Sequence, residues 1–293
     1  MLMKNIDIIG IQMDLGAVRK GVDMGPLAIR HTGLVKEIRN LGIEVRDKGD
    51  IVLLPAIEEG NPKMRYEKII YEANNRLYQE MCESHRSEHF PIVLGGDHCI
   101  AAGSVPAAFE RYDSIGIIWI DAHGDYNDEV ITPSGNMHGM PLSAVCGQGP
   151  ECMVEFCDKR VNPNNVAIIG ARALDSLEKK KLERTGVTVF TIADVHLLGI
   201  RECVNRAIEI ALKKTEGIHL SFDMDAIDPA YAPGVGTPVS NGISQREAFI
   251  ICESLSQCKK LVSMDFVETN PLLDNRNKTG VLARDLIVTC LND

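Results

Sequence analysis

Three short segments of this 293-residue chain concentrate side chains that bind hard metal ions: Gly95-Gly96-Asp97-His98, Asp121-Ala122-His123-Gly124-Asp125 and Ser221-Phe222-Asp223-Met224-Asp225. They supply six ligand-type residues, His98, Asp121, His123, Asp125, Asp223 and Asp225. An Asp-x-Asp pair alone is ordinarily a solvated turn. Here each segment directly follows an apolar run, 91–94, 115–120 or 218–220, the pattern of a buried strand emptying into a cleft. Side chains alternate along a strand, so Asp121, His123 and Asp125 are expected on one face, and Asp223 with Asp225 likewise. Four carboxylates and two imidazoles meeting at one point repel one another unless cations lie between them. The set is rich in oxygen and lacks thiolate, which suits Mn²⁺ better than a structural zinc, although Zn²⁺, Co²⁺ and Fe²⁺ can enter such sites. Two divalent ions sharing bridging carboxylates sit about 3.5 Å apart and hold a hydroxide between them at neutral pH, which implies metal-assisted hydrolysis.

Positioning these residues requires a scaffold that brings distant strand ends together. Apolar strand-like runs fall at 7–12, 43–46, 91–94, 115–120, 166–170, 187–191, 218–222 and 261–266, and amphipathic helical patterns at 26–41, 65–84, 174–184, 200–214, 244–255 and 280–291. Repeated β-then-α order predicts a three-layer α/β/α protein with a mostly parallel sheet of about eight strands, its active cleft along the strand C-termini. No linker-like or repetitive stretch divides the chain, so residues 1–293 are expected to form one domain. Two loops rich in Gly and Pro, 127–149 and 228–242, follow ligand strands and are placed to carry specificity.

Composition narrows the partners. Lys and Arg number 31 against 41 Asp and Glu, leaving a net charge of −10 and favouring a cationic small molecule over nucleic acid or an anionic membrane. Aromatics make up only 5% of residues, with one Trp, so no platform for stacking bases is expected. Nine scattered cysteines without a Cys-x-x-Cys read as reduced thiols of a cytoplasmic protein, and Cys99 reads as a small buried residue. Polar residues interrupt the first 13 positions, which read as a first strand and not as a signal peptide. No run reaches the ~20 apolar residues that span a bilayer.

The motifs resemble the ureohydrolases, and within them the arginases. The resemblance runs from Ile8-Ile9-Gly10 through Met13-Asp14-Leu15-Gly16, Lys20-Gly21-Val22-Asp23-Met24-Gly25-Pro26 and the three ligand segments. It continues with Ser134-Gly135-Asn136-Met137-His138-Gly139, Asp225-Ala226-Ile227-Asp228-Pro229, Gly236-Thr237-Pro238 and Val267-Glu268-Thr269-Asn270-Pro271. Asp-Ala-His-x-Asp with Ser-Phe-Asp-x-Asp marks the superfamily, and Ser-Gly-Asn-x-His-Gly points to arginase. Departures are mild, at Gly124, Ala226 and Thr269, and none touches a ligand.

The resemblance implies two Mn²⁺ per chain and hydrolysis of L-arginine to L-ornithine and urea by a metal-bridging hydroxide. His98, Asp121, Asp125 and Asp223 would surround one ion, and His123, Asp121, Asp223 and Asp225 the other. Glu268 would orient the guanidinium, Asp125 would move the hydroxide proton to the leaving amine, and His138 would shuttle protons to solvent. A histidine suits that last task because its reference pKa is about 6.5. Asn127, Ser134 and Asn136 are similar to residues that bind the α-carboxylate, Asp175 and Glu178 to residues that receive the α-amino group, and Thr237 to one beside the guanidinium. Asp175 and Glu178 also read as a helix N-cap with an acid at its third position. Agmatine or another guanidino-alkyl compound is the alternative substrate. A single-zinc deacetylase would not need both His98 and His123, and a catalytically dead relative would have lost a ligand. The same resemblance implies a homotrimer or homohexamer, the choice left open by the absence of the extended C-terminal tail of animal arginases.

Overall fold

The computed structural model describes residues 5–53 and 60–292; positions 1–4, 54–59 and 293 of the expected domain lie outside the described residues. The expected eight strands are all found: β1 (Asn5–Gln12), β2 (Glu44–Val52), β3 (Phe90–Leu94), β4 (Ile115–Ile120), β5 (Val166–Ala171), β6 (Thr188–Thr191), β7 (Gly217–Asp223) and β8 (Leu261–Val267). They form one sheet in the order β2-β1-β3-β8-β7-β4-β5-β6, and every neighbouring pair is parallel.

Both faces of the sheet are covered, as all-parallel sheets require. Alternation along β4 shows how: Ile118 and Ile120 pack into one apolar core, Ile117 and Trp119 into the other. The first core is closed by α1 (Gly25–Arg30), α2 (Leu34–Asn40), α7 (Ile192–Leu198), α8 (Ile200–Ala211), α9 (Gln245–Cys258) and α10 (Lys278–Leu291). The second is closed by α3 (Glu67–Arg86), α4 (Ala101–Ala107), α5 (Pro141–Val145) and α6 (Ser176–Thr185).

Local chemistry accounts for the differences from the sequence reading. The single helix expected over 26–41 is two, because the chain turns at 31–33 and Gly33 takes φ 87°, which costs a residue without Cβ little. Strand β2 runs six residues beyond Arg46, through the charged positions Asp47, Lys48 and Asp50, as an edge strand can. Helices α4, α5 and α7 lie where no helix was expected. Every residue of α4 is buried and it contains Pro106, so it shows no amphipathic period.

Candidate functional site

In sequence, β3 and β4 are consecutive. In the sheet β8 and β7 lie between them, which is a topological switch point of the kind where α/β sheets open a cleft. The C-terminal ends of four adjacent strands thus deliver His98, Glu268, Asp223 and Asp121 to one place. Three of these ends share a device. Asp97 Oδ1 accepts from Cys99 N–H at 3.0 Å, Asp121 Oδ1 from His123 N–H at 2.7 Å, and Asp223 Oδ1 from Asp225 N–H at 2.7 Å. Each is an Asp turning the chain onto itself two residues on. The ligands converge through these turns and not through the strand alternation expected, since β4 stops at Ile120 and residues 224–226 form a short 3₁₀ turn.

His98 is buried and aims Nδ1 at three carboxylate oxygens, Asp125 Oδ2 at 3.1 Å and Asp121 Oδ2 and Asp223 Oδ2 at 3.2 Å. Its Nε2 is 2.9 Å from Ser221 Oγ, and an Nε2–H donated there would leave Nδ1 its lone pair. His123 Nδ1 lies 3.3 Å from Asp121 Oδ1 and 3.1 Å from Asp225 Oδ2. Asp121 therefore serves both clusters, one oxygen to each. His98, Asp121 and Asp125 make one candidate cation-binding group, and Asp121, His123 and Asp225 a second. The donor set fits divalent cations on a direct sign: His98 Nδ1 is buried with no hydrogen-bond partner. Burial and the charges of Asp225 and Asp121 also drive the Asp223 carboxyl well above its ordinary range, the strain that cations among the acids would relieve.

Glu268 closes the cluster from the β8 side. Its Oε1 accepts from His98 N–H at 3.1 Å and lies 3.2 Å from His138 Nδ1, while Oε2 is buried without a partner. A Cβ on Gly236 would sit 2.7 Å from that Oε2. Glu268 and Asp125 both adopt left-handed backbone, at φ 63° and 48°, a strain of about 1 kcal/mol or more each that non-glycine residues bear at organised sites. Burial opposes a charged imidazole at His138, but the hydrogen bond and charge of Glu268, backed by Asp125 and Asp97, outweigh it and raise the pKa to about 9.

The outer residues divide into those free to meet a ligand and those already committed. Thr237 Oγ1 donates to Asp225 Oδ2 at 2.7 Å, so it touches a candidate ligand. Asn127 Nδ2 donates to Asp175 Oδ2 at 3.2 Å and keeps an unpartnered Oδ1. Ser134 Oγ accepts from Asn136 N–H at 3.1 Å. Asp175 is exposed, whereas Glu178 is buried and accepts from Tyr126 N–H at 2.9 Å and Asp175 N–H at 3.2 Å. Glu178 thus caps α6 and holds the loop after Asp125. Gly124 is explained by the same carboxylate, since a Cβ there would lie 2.9 Å from Glu178 Cδ.

Several residues that shape the site had not been singled out from sequence. Trp119 Nε1–H donates to Asp121 Oδ2 at 2.9 Å. Asp97 Oδ2 accepts from Gly16 N–H at 2.7 Å, drawing the first loop over the cleft. Arg172 donates to the carbonyls of Asp225 at 2.8 Å, Ala226 at 3.0 Å and Val239 at 2.7 Å, binding the 228–242 loop to the end of β5. Cys99, as expected, is a packing residue: it is fully buried, and burial with Asp97 nearby pushes its thiol well up. A cavity of about 710 Å³ lies at the strand N-termini, lined by Asn5, His89, Arg111 and Lys260 among others, far from this chemistry.

Fold and cluster together define a parallel α/β protein organised around a candidate dinuclear metal centre. The Arginase family pattern matches residues 4–292. The arginase of Brevibacillus brevis is 43% identical over 293 residues, covering 99% of this chain and 98% of that one. The arginase of Bacillus caldovelox is 41% identical over 286 residues, 96% of each chain, and its solved structure superposes with a TM-score of 0.96 over 99% of both chains. Entamoeba histolytica arginase, solved with L-ornithine, gives a TM-score of 0.92 at 28% identity over the whole of both chains. The chain belongs to the arginase family.

Proposed function

We propose that the protein hydrolyses L-arginine to L-ornithine and urea at a centre that takes two Mn²⁺ ions. His98, Asp121, Asp125 and Asp223 would hold one ion, and His123, Asp121, Asp223 and Asp225 the other. When bound, the ions supply an activated water and Lewis acidity toward the guanidinium carbon. The observation that carries the reading is Glu268 Oε2, a buried carboxylate oxygen with no partner beside the ligand cluster. A planar cation with several N–H donors satisfies both its hydrogen bonding and its charge; a neutral amide can donate to it but leaves the charge unmatched, and an anion does neither.

The chain's own groups then divide the remaining work. Glu268 orients the guanidinium. Asp125 accepts the proton of the attacking water at its carboxylate and returns it to the leaving amine. His138, half-buried and reaching solvent, carries a second proton between the site and bulk water, the one released when a fresh water is activated for the next turnover. Asn127, Ser134 and Asn136 receive the α-carboxylate, Asp175 receives the α-amino group, with Glu178 behind it, and Thr237 steadies Asp225. The same reading takes the chain as one domain that assembles as a homotrimer or homohexamer in the cytoplasm. Cysteines there stay reduced, and the nine here are free.

Assays of Mn²⁺-loaded protein with arginine and agmatine test the reading, together with elemental analysis. Arginine turnover with about two Mn²⁺ per chain supports it. Efficient agmatine turnover, or full activity with one zinc per chain, overturns it.

A further inference from the structure

The loop bearing Ser134 and Asn136 is gripped by a hairpin that contributes no residue to the site described above. Gly60–Asn61 and Met64–Arg65 pair as a short antiparallel ribbon. Arg65 N–H donates to Gly135 O at 3.2 Å, and Lys63 Nζ to Thr132 O at 2.8 Å. The approach is close enough that a Cβ on Gly135, whose φ is +72°, would lie 1.9 Å from Pro62 O. Arg65 then adds its side chain: Nη2 donates to Ser134 O at 2.8 Å and also to Asn136 Oδ1.

A guanidinium has donors and no acceptor, so this contact decides which end of the Asn136 amide faces it. The oxygen turns to Arg65, and the NH₂ end is left for another partner. A carboxylate accepts and cannot donate, so an amide whose oxygen is already engaged is preset to receive one. Released from Arg65, the amide can rotate half a turn and present oxygen to oxygen. We propose that Arg65 is a positioning residue for substrate selection, fixing Asn136 as a donor to the substrate α-carboxylate and so favouring the amino acid over the corresponding amine. The proposal rests on the reading that Ser134 and Asn136 bind that carboxylate.

The test compares Arg65→Ala, Arg65→Lys, Asn136→Ala and the Arg65→Ala/Asn136→Ala pair in Mn²⁺-loaded enzyme, on arginine and on agmatine. Titration calorimetry with L-ornithine and with 1,4-diaminobutane reads the carboxylate contact without turnover. Arg65→Ala should raise KM for arginine about 10-fold to 100-fold with kcat within about threefold, since a misplaced positioning group costs on that order. Its effect on agmatine should be at least about fivefold smaller, and ornithine affinity should fall while that of the diamine holds. Arg65→Lys should recover part of the loss. In the Asn136→Ala background, Arg65→Ala should cost arginine no more than about twofold more, because the two act through one contact. Equal losses on both substrates, or the full Arg65 effect persisting without Asn136, overturn the proposal and leave the carboxylate reading standing. Wild-type enzyme that fails to prefer arginine over agmatine overturns both.

Discussion

His98 and Trp119 stack face to face, ring centroids 4.0 Å apart and planes within 6°. The indole of Trp119 also donates to Asp121 Oδ2, so one side chain orients two candidate ligands at once. Partners behind metal ligands typically carry 10-fold to 100-fold in metal affinity. Trp119→Phe keeps a stacking ring and loses the N–H, and it should weaken Mn²⁺ binding about 10-fold in chelator competition while the protein stays folded. Unchanged affinity would show that the indole N–H does not hold Asp121. Because Trp119 is the only tryptophan, wild-type fluorescence should follow metal loading directly.

Glu268→Gln keeps shape and one acceptor but removes the charge proposed to face the guanidinium. Breaking one partner of a desolvated charge pair costs about 2–5 kcal/mol, so kcat/KM for arginine should fall about 10³-fold with both metals retained. A variant that loses metal instead would make Glu268 part of the ligand support and not a substrate anchor.

His138→Asn should lower kcat by about 10-fold to 10³-fold without loss of metal, the range of a general acid–base group, and small imidazole buffers should restore part of the rate. Metal loss on this substitution would mark His138 as a ligand. In metal-free protein the ring should titrate near 9, held up by Glu268. The raised value means that protonated His138 adds stability below the unfolded value of about 6.5, which is lost as pH rises through 9. In Glu268→Gln the NMR titration should move down; an unmoved curve would assign the shift elsewhere.

Acid stability should depend on Asp7, far from the site. Its carboxylate is fully buried and accepts from Arg46 Nε at 2.9 Å, Arg46 Nη2 at 2.7 Å and Ser84 Oγ at 2.6 Å, with His89 Nδ1 at 2.8 Å. Burial raises its pKa, but these partners prevail and bring it down to about 2. A depressed carboxylate stabilises the fold above the unfolded value near 4, and that contribution is lost as pH falls from about 4 to about 2. Asp7→Asn should therefore lower Tm clearly at pH 7 and much less at pH 2.5. The same Tm loss at both would show that packing, and not the charge, is what Asp7 supplies.

What could be read from the sequence followed periodicity and residue type. The strand at 115–120 is apolar throughout, that at 218–222 is mostly so, and both are followed by acids, so their buried position and their polar termini show. Residues acting through main-chain carbonyls left no such trace. Arg172 and Arg65 look like surface cations in sequence because a carbonyl partner has no identity there. The turns begun by Asp97, Asp121 and Asp223 were hidden for a different reason: an acid that accepts its own backbone and one that binds metal have the same sequence signature. Asp121 and Asp223 are placed to do both. Glu178 went the other way, its buried carboxylate already engaged at the start of α6.

Strand β8 is the last to be made and one of the innermost to be placed. Its register joins Phe266 to Leu94 on one side and to Phe222 on the other, so until residue 267 is available the sheet is two pieces with open inner edges. Contacts across such distances close slowly, and unpaired edges invite pairing with other chains. The same strand brings Glu268 to His98 across 170 positions. A nascent or truncated chain can therefore own every residue quoted for metal binding and still have no cleft, and its exposed edges make it a client for protection during synthesis until the final segment seals the middle.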